Sequence, residues 1–275
     1  MGNKKEDIKL EGLLIRKIPC KENDAMLTII TSDGLFSFYG RGVNKISSKN
    51  IASCSLLSYS SFVLSNQIGN KLSLKESNLI KSYLKEDDFG VVGVSNFILE
   101  LLSKGLDEDR VEESKNIYPY VLSSLNALLN GYHPLSVALF FFIKYLDALG
   151  IGLNLTNCVR CNKKEAIVGL SYIDGGFICK NCLNETDHKL NVETLKFLHY
   201  SSLAKSNQLE KIPPLKNGIY PVLEGFSRFL YDETGIDIKS LKLLKVISYP
   251  YIRLTKLLKS IKLTRDLSIF NKENN

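Results

Sequence analysis

The stretch Cys158–Cys182 reads CVRCNKKEAIVGLSYIDGGFICKNC and contains two Cys-x-x-Cys pairs, with seventeen residues between Cys161 and Cys179. Two residues between thiols let a tight turn aim both sulfurs at one metal ion, and two such pairs complete the tetrahedral four-thiolate set that Zn²⁺ prefers. The predicted ligands of a single Zn²⁺ are Cys158, Cys161, Cys179 and Cys182. Because four thiolates leave no coordination position for water, we expect this metal to be structural rather than catalytic.

The segment between the two pairs has the pattern of a short hairpin. Ala166, Val168 and Leu170 alternate with polar or small neighbours, as in a half-buried strand. The turn residues Asp174–Gly176 follow, and Phe177-Ile178 leads back into the second pair. The sequence therefore predicts a zinc ribbon. Two disulfides or four buried thiols remain the alternative for the same cysteines.

The residues before this segment predict a small β-barrel. Short apolar runs are separated by turn residues, notably Ser32-Asp33-Gly34. Five such strands suit an OB-fold, although an SH3-like barrel would give nearly the same pattern. The predicted strands are Gly12–Ile18, Ala25–Thr31, Leu35–Tyr39, Leu56–Leu64 and Lys71–Ile80.

From Val91 onward the apolar residues recur with the helical period. The stretch Leu135–Leu149 is apolar nearly all round, which predicts a helix at the centre of a helical domain. Further helices are predicted around Phe97–Leu102, over Val111–Asn130, after the capping residue Asn191, and from Ile219 to a stop at Gly235. The predicted fold class is therefore α+β multidomain.

Four regions follow from these patterns. We predict an OB-fold domain at 1–82, a helical domain formed by 83–157 and 183–248, a zinc-ribbon insert at 158–182, and a basic C-terminal tail at 249–275.

The formal net charge of +7 is distributed unevenly along the chain. Residues 1–80 have 11 basic and 7 acidic side chains, residues 81–238 have 16 and 20, and residues 239–275 have 9 and 2. Two basic ends suggest a polyanionic partner, although surface lysines also serve solubility. The amphipathic stretch Tyr251–Leu263 could cover its own domain, bind DNA or touch a membrane surface.

The connection Gly40–Ser53 is rich in Gly and Ser and carries three basic residues. It can be interpreted as a solvated loop or as a flexible basic loop that binds nucleic acid strands. The three basic residues are Arg41, Lys45 and Lys49.

Six stretches of the sequence, taken in their order along the chain, together form a recognisable pattern. They are EGLLIRKIPCKENDAMLTIITSDGLFSFYGRGVNKISSK, KLSLKESNLI, FFIKYLDALGIGLNLTNCVRC, DGGFICKNC, KLNVETLKFL and ETGIDIKSLKLL. Together they resemble the RecO family of bacterial DNA repair proteins, from about Leu10 to Leu244. The residues from Val246 to Asn275 extend beyond the matched part.

This resemblance implies an N-terminal OB-fold, a helical domain and a four-cysteine zinc site. It also implies a recombination mediator that binds single- and double-stranded DNA, anneals complementary strands without ATP, and with RecR loads RecA onto DNA coated by single-strand binding protein. The family's basic barrel surface falls here on Arg41, Lys45 and Lys49, with Lys17 and Lys21 as weaker candidates.

The remaining patterns favour a non-enzymatic protein of the reducing cytoplasm. There is no phosphate-binding Gly-x-x-x-x-Gly-Lys motif and no His-Glu-x-x-His array. No apolar run has the length of a signal peptide or of a membrane span, so no membrane contact is expected. Two alternatives stay open: a zinc-ribbon transcription or RNA-binding accessory protein, and a thiol redox enzyme that uses Cys-x-x-Cys.

Overall fold

The computed structural model describes residues 7–66, 72–85 and 87–248, and the predicted basic tail 249–275 lies outside these described residues. Within them, a five-stranded barrel is followed by a helical domain that carries a small three-stranded sheet. This is the OB-type barrel and helical domain that the sequence predicts. The boundaries of the four predicted regions stay predictions.

The barrel is closed in the strand order β1-β2-β3-β5-β4. The β3–β5 pair is parallel and the other pairs are antiparallel. The interior is filled by fully buried apolar side chains such as Leu27, Phe38 and Phe62. The strands are β1 (Ile8–Pro19), β2 (Ala25–Thr31), β3 (Gly34–Gly40), β4 (Ser58–Asn66) and β5 (Leu72–Ser82).

The middle of strand β1, residues 12–15, is buried on both of its faces. Leu14 points into the barrel core, whereas its neighbours Leu13 and Ile15 belong to the core of the helical domain. This explains why consecutive apolar residues occur here instead of an alternating pattern. Arg16 adds a polar link, because its guanidinium donates to the carbonyl oxygen of Ser103 at 2.5 Å near the end of the first helix.

The helical domain is organised around one apolar helix, α3. Every residue from Leu135 to Leu146 is buried, as the sequence predicts for a central helix. Phe142 of this helix contacts Phe97 and Phe226 with ring centroids 5.4 and 5.8 Å away. Among the described residues, none of the helices combines the length and apolarity that a membrane crossing needs. The helices are α1 (Phe89–Gly105), α2 (Val111–Leu129), α3 (Pro134–Ala148), α4 (Val192–Leu203), α5 (Ile219–Thr234) and α6 (Leu241–Ser248).

The small sheet consists of β6 (Ile167–Ser171), β7 (Gly176–Cys179) and β8 (His188–Lys189), in the order β7-β6-β8. The first two strands form the predicted hairpin, but β8 lies outside the segment 158–182. The sheet packs against α5 through Tyr172, the residue after β6. The Tyr172 hydroxyl lies so close to Gly225 of α5 that a Cβ added to this glycine would be only 2.1 Å from it.

Helix α6 is an element that the sequence analysis missed. Its start is held by Glu100 of α1, whose carboxylate accepts hydrogen bonds from the backbone N–H groups of Lys239 at 2.9 Å and Ser240 at 2.7 Å. Lys104 forms an ion pair with the same carboxylate at 2.7 Å. Burial raises the pKa of Glu100, but Lys104 and Ser240 outweigh it and lower the pKa to about 2.

We expect Glu100→Gln to lower the free energy of unfolding by about 1 kcal/mol at pH 7, because a charged acceptor of two backbone N–H groups becomes neutral. The Glu100 pKa is depressed, so its contribution is present above the ordinary value of 4.5 and is lost as the pH falls toward about 2. Urea unfolding at pH 7 and at lower pH measures both effects.

Glu108→Gln is the matched control, because Glu108 is exposed and has no polar side-chain contact within the described part of the chain. Equal destabilisation by the two substitutions would contradict the role of Glu100 in holding α6.

Candidate metal centre and nucleic-acid interface

The four predicted metal ligands come together in the structure. The Sγ atoms of Cys158, Cys161, Cys179 and Cys182 all lie within 4.8 Å of one another, and all are free thiols. The Sγ atoms of Cys161 and Cys179 are 3.6 Å apart. A tetrahedron with Zn–S bonds of 2.3 Å requires S–S separations of roughly 3.8 Å. The cluster therefore fits a four-thiolate metal site.

Two tight turns aim these sulfurs inward. In the first pair, the backbone N–H of Asn162 donates to the Cys158 carbonyl at 2.8 Å, with Asn162 in the left-handed region at φ +63°. Asn tolerates that conformation better than most residues. In the second pair, the N–H of Cys182 donates to the Cys179 carbonyl at 3.1 Å. The sequence spacing is thus sufficient to explain the local geometry.

Arg160, which lies inside the first pair, connects it to the second. Its guanidinium donates to the Cys182 carbonyl at 2.5 Å and pairs with Asp187 at 2.6 Å and with Asp174. The Asp187 side chain has no exposed surface, and its pKa is lowered chiefly by the hydrogen bond from Arg160. The sequence analysis missed this link, because the acidic partners lie 14 and 27 residues further along the chain.

Two of the thiols have opposite electrostatic environments. Burial raises the pKa of Cys158, but the backbone N–H groups of Cys179, Arg160 and Cys161 outweigh burial and lower it to about 6. Neighbouring thiols raise the pKa of Cys182 to about 12. A thiol redox enzyme needs an accessible low-pKa thiol, whereas Cys158 is fully buried. The cluster therefore suits a cation better than an external disulfide substrate.

The five predicted DNA-binding residues lie toward one end of the barrel, which we call the basic end. It is formed by the β1–β2 turn (20–24), the β3–β4 connection (41–57) and the adjoining last residues of β1. Arg41, Lys45 and Lys49 are exposed on the connection, Lys21 is exposed in the turn, and Lys17 is half-buried near the end of β1. Nothing in this arrangement tests whether they contact DNA, so that role stays a prediction.

The β3–β4 connection, which the sequence predicts as a loop, contains neither a helix nor a strand. It is a run of hydrogen-bonded turns, and Val43 and Cys54 are fully buried in the barrel core. An added Cβ at Gly40 would lie 2.8 Å from the Val43 side chain, so this glycine permits the close fit. The sequence analysis did not identify Val43 and Cys54 as core residues, because two apolar residues in a polar segment form no periodic pattern.

Lys17 is the least suited of the five to reach a phosphate. Burial lowers its pKa, and it lies close enough to Cys54 for the two groups to interact electrostatically. Lys21, in contrast, is exposed to solvent, and its Nζ lies 5.9 Å from the centre of the Tyr39 ring.

An outward row of apolar and aromatic side chains crosses the barrel beside these cations. Ile18 pairs with Met26, and Met26 pairs with Tyr39 on the next strand. Cross-strand partners lie on the same face of a sheet. Ile18 and Met26 are 53% and 39% exposed. Exposed rings and apolar groups next to lysines are typical of surfaces on which nucleic acid bases stack. The sequence analysis missed this row. The available signal was the alternation of residues along each strand, which places Ile18, Met26 and Tyr39 on the outer face.

A second exposed apolar surface follows α4. Val192, Tyr200 and Leu203 are 64%, 51% and 60% exposed. Two concavities of about 310 and 370 Å³ lie along this helix and share Tyr200. Lysines that line them are Lys164, Lys196 and Lys211. We call this surface the α4 groove. An apolar stripe with a polar rim is typical of protein contact surfaces.

Comparison with protein families gives two matches that together cover most of the chain. Residues 5–83 match the model for the N-terminal part of recombination protein O, and residues 86–242 match the model for its C-terminal part. The division between the two matches falls between the barrel and α1.

Individual relatives give the same result. The chain is 29% identical over 244 residues to the DNA repair protein RecO of Bacillus pumilus, covering 86% of this chain and 92% of that protein. It is 25% identical over 246 residues to the protein of that name from Caldicellulosiruptor bescii, covering 87% and 98%. For Dehalococcoides mccartyi the identity is 30% over 203 residues, covering 72% and 79%.

We expect purified protein to contain one Zn²⁺ per chain, measured by mass spectrometry of the metal, and to release it on acidification because the thiolates become protonated. Cys179→Ser should lose the metal and lower the melting temperature of the helical domain. Cys20→Ser is the control, since Cys20 is an exposed thiol outside the cluster. Protein that lacks metal but keeps its normal stability would contradict a structural metal.

Proposed function

The chain belongs to the RecO family of DNA repair proteins, and on that premise we propose that it is a DNA-binding recombination mediator. In this proposal it binds single- and double-stranded DNA and anneals complementary single strands. With RecR it helps to load RecA onto DNA coated by single-strand binding protein. It acts in the bacterial cytoplasm, in association with the nucleoid, and performs no catalytic step.

The observation that carries the proposal is the basic end of the barrel. Arg41 and Lys45 are exposed there on a connection that Val43 anchors in the core. Cations held on an ordered backbone can track a phosphate chain, and the adjacent row that includes Tyr39 offers a surface for unpaired bases. This combination supports binding without sequence preference.

Annealing requires a second cationic surface, because two polyanions must be held together while their bases stay free to pair. The described residues at the end of the chain provide three exposed lysines, Lys239, Lys242 and Lys245. Residues 249–275 follow them in the sequence and contain further lysines and arginines. We propose that this region screens the second strand.

The metal and the protein partners complete the proposal. We propose that the four-cysteine site holds one structural Zn²⁺, which would fix the ribbon on α5. We also propose that single-strand binding protein is contacted at the α4 groove, because exposed Tyr200 and Leu203 supply apolar contacts and Lys196 favours an acidic segment of the partner.

DNA affinity should fall steeply with salt, by a log–log slope of about one unit per phosphate contacted. Arg41→Glu with Lys45→Glu should weaken binding to unrelated sequences equally, since phosphate contacts carry no base information. Fluorescence anisotropy with labelled single strands measures both effects.

Lys205→Glu with Lys216→Glu is the control, because it makes a comparable charge reversal at two exposed positions outside both the barrel and the cysteine cluster. Weakening of the same size in both double variants would remove the basic end from the site. Strong preference for an RNA competitor would instead favour the accessory-protein alternative.

Complementary single strands should anneal faster with the protein than without it, in the absence of nucleotide. A fluorescence-quench time course on naked strands and on strands coated with single-strand binding protein measures this rate. Lack of acceleration on both substrates would refute the mediator function.

Two variants separate the proposed surfaces. Truncation after Ser248 should leave single-strand binding largely intact but slow annealing, because it removes most of the second cationic surface. Lys196→Glu should slow annealing on coated strands only, if the α4 groove contacts the coating protein. Normal rates in either variant would remove that surface from the mechanism.

A further inference from the structure

Two carboxylates, those of Glu22 and Asp24, lie among the cations of the basic end, and the Asp24 carboxylate accepts hydrogen bonds from two neighbouring elements. Asp24 closes the β1–β2 turn, and its pKa is lowered by a hydrogen bond from Tyr39, another from the backbone of Gly42, and the charges of Lys21 and Arg41. An acidic group beside phosphate-binding cations should repel DNA. Its presence there requires another explanation.

The carboxylate of Asp24 links two separate elements to its own turn. One oxygen accepts from the Tyr39 hydroxyl on β3, and the other accepts from the backbone N–H of Gly42 at 2.7 Å on the connection. Gly42 has φ +66°, a left-handed conformation that glycine adopts without strain. The side chain of Asp24 therefore fixes both a strand residue and the first turn of the connection.

The backbone around Asp24 strengthens the same link. The Asp24 carbonyl accepts from the Asn44 side chain at 3.3 Å and from the Cys20 N–H at 3.2 Å. The Asn44 N–H donates to the carbonyl of Asn23 at 2.9 Å. Residues 41–44 are thus bound to the β1–β2 turn through three hydrogen bonds, and Arg41 lies between Tyr39 and Gly42, the two residues that the carboxylate joins.

We propose that Asp24 is a positioning residue for DNA binding: its carboxylate holds Tyr39 and the turn that bears Arg41 in the conformation that receives the phosphate backbone. This inference rests on the proposed DNA-binding function. Arg41 and Lys45 belong to a segment without regular secondary structure, so ordering them before DNA arrives removes an entropy cost from binding. The organising effect of Asp24 exceeds its repulsion of phosphate.

The fold itself does not depend on this carboxylate. Val43 and Cys54 are buried in the barrel core and anchor the connection independently. Asp24 is partly exposed, so its replacement opens no cavity in the core. Variants at position 24 should therefore fold, which allows their DNA affinities to be compared.

The test depends on whether replacing Asp24 raises or lowers the affinity for DNA. Asp24→Ala removes a negative charge, so electrostatics alone predicts tighter binding, whereas loss of positioning predicts weaker binding. We expect Asp24→Ala to bind single-stranded DNA roughly tenfold more weakly than wild type. The slope of affinity against salt should also decrease by about one unit, because the Arg41 contact is no longer formed on a fixed backbone.

Two controls isolate the hydrogen bonds from the charge. Asp24→Asn has the same net charge as Asp24→Ala but keeps an acceptor for the Gly42 N–H, so it should bind more tightly than Asp24→Ala. Asp33→Ala makes the same charge change in the β2–β3 turn, at the opposite end of the barrel, and should bind as tightly as wild type or slightly more tightly.

The outcomes are distinguishable. Wild-type protein that does not bind DNA overturns the proposed function itself. If wild type binds, then Asp24→Ala that binds as tightly as wild type or Asp33→Ala, or more tightly, overturns the positioning role. If Asp24→Ala fails to fold, Tyr39→Phe decides the question, since it removes one of the two side-chain partners: unchanged affinity and salt slope then overturn the proposal.

Discussion

The structure depends on barrel strands that contribute to two hydrophobic cores at once, and β1 shows this most directly. Leu14 of β1 completes the barrel interior, while Leu13 and Ile15 on the other face are part of the core around α3. Arg16 then donates to carbonyl oxygens of Ser103 and Leu106 at the end of α1, where helical carbonyls otherwise have no partner. Because burial of apolar surface is the main source of stability, neither core can be complete without this strand.

Both candidate sites use exposed groups that a buried framework holds in place. The metal ligands lie in surface turns, but the ribbon that carries them sits against α5 through Tyr172, whose ring contacts Phe226 at 6.0 Å. The cations of the basic end lie on a connection anchored by Val43 and Cys54. Exposed charges contribute little stability by themselves, so their positions must come from such anchors.

Burial also separates cations that look equivalent in the sequence. Lys17 and Lys21 are four residues apart, yet burial lowers the pKa of Lys17 while Lys21 is exposed beside the Tyr39 ring. A lysine that loses hydration without an acidic partner is a poor phosphate ligand. Asp24 shows the converse, since an acidic residue on a basic surface is explained by the groups that it organises.

The sequence by itself determined the features that depend on local spacing. The four cysteines, the central apolar helix α3, the Asn191 cap and the barrel strands all follow from periods of a few residues. Only the tertiary structure decided the short elements α6 and β8, the link from Arg160 to Asp187, and the contacts of Asp24 with Tyr39 and Gly42. These features are fixed by contacts between residues far apart in the chain, and such contacts form only when hydrophobic burial has brought the segments together.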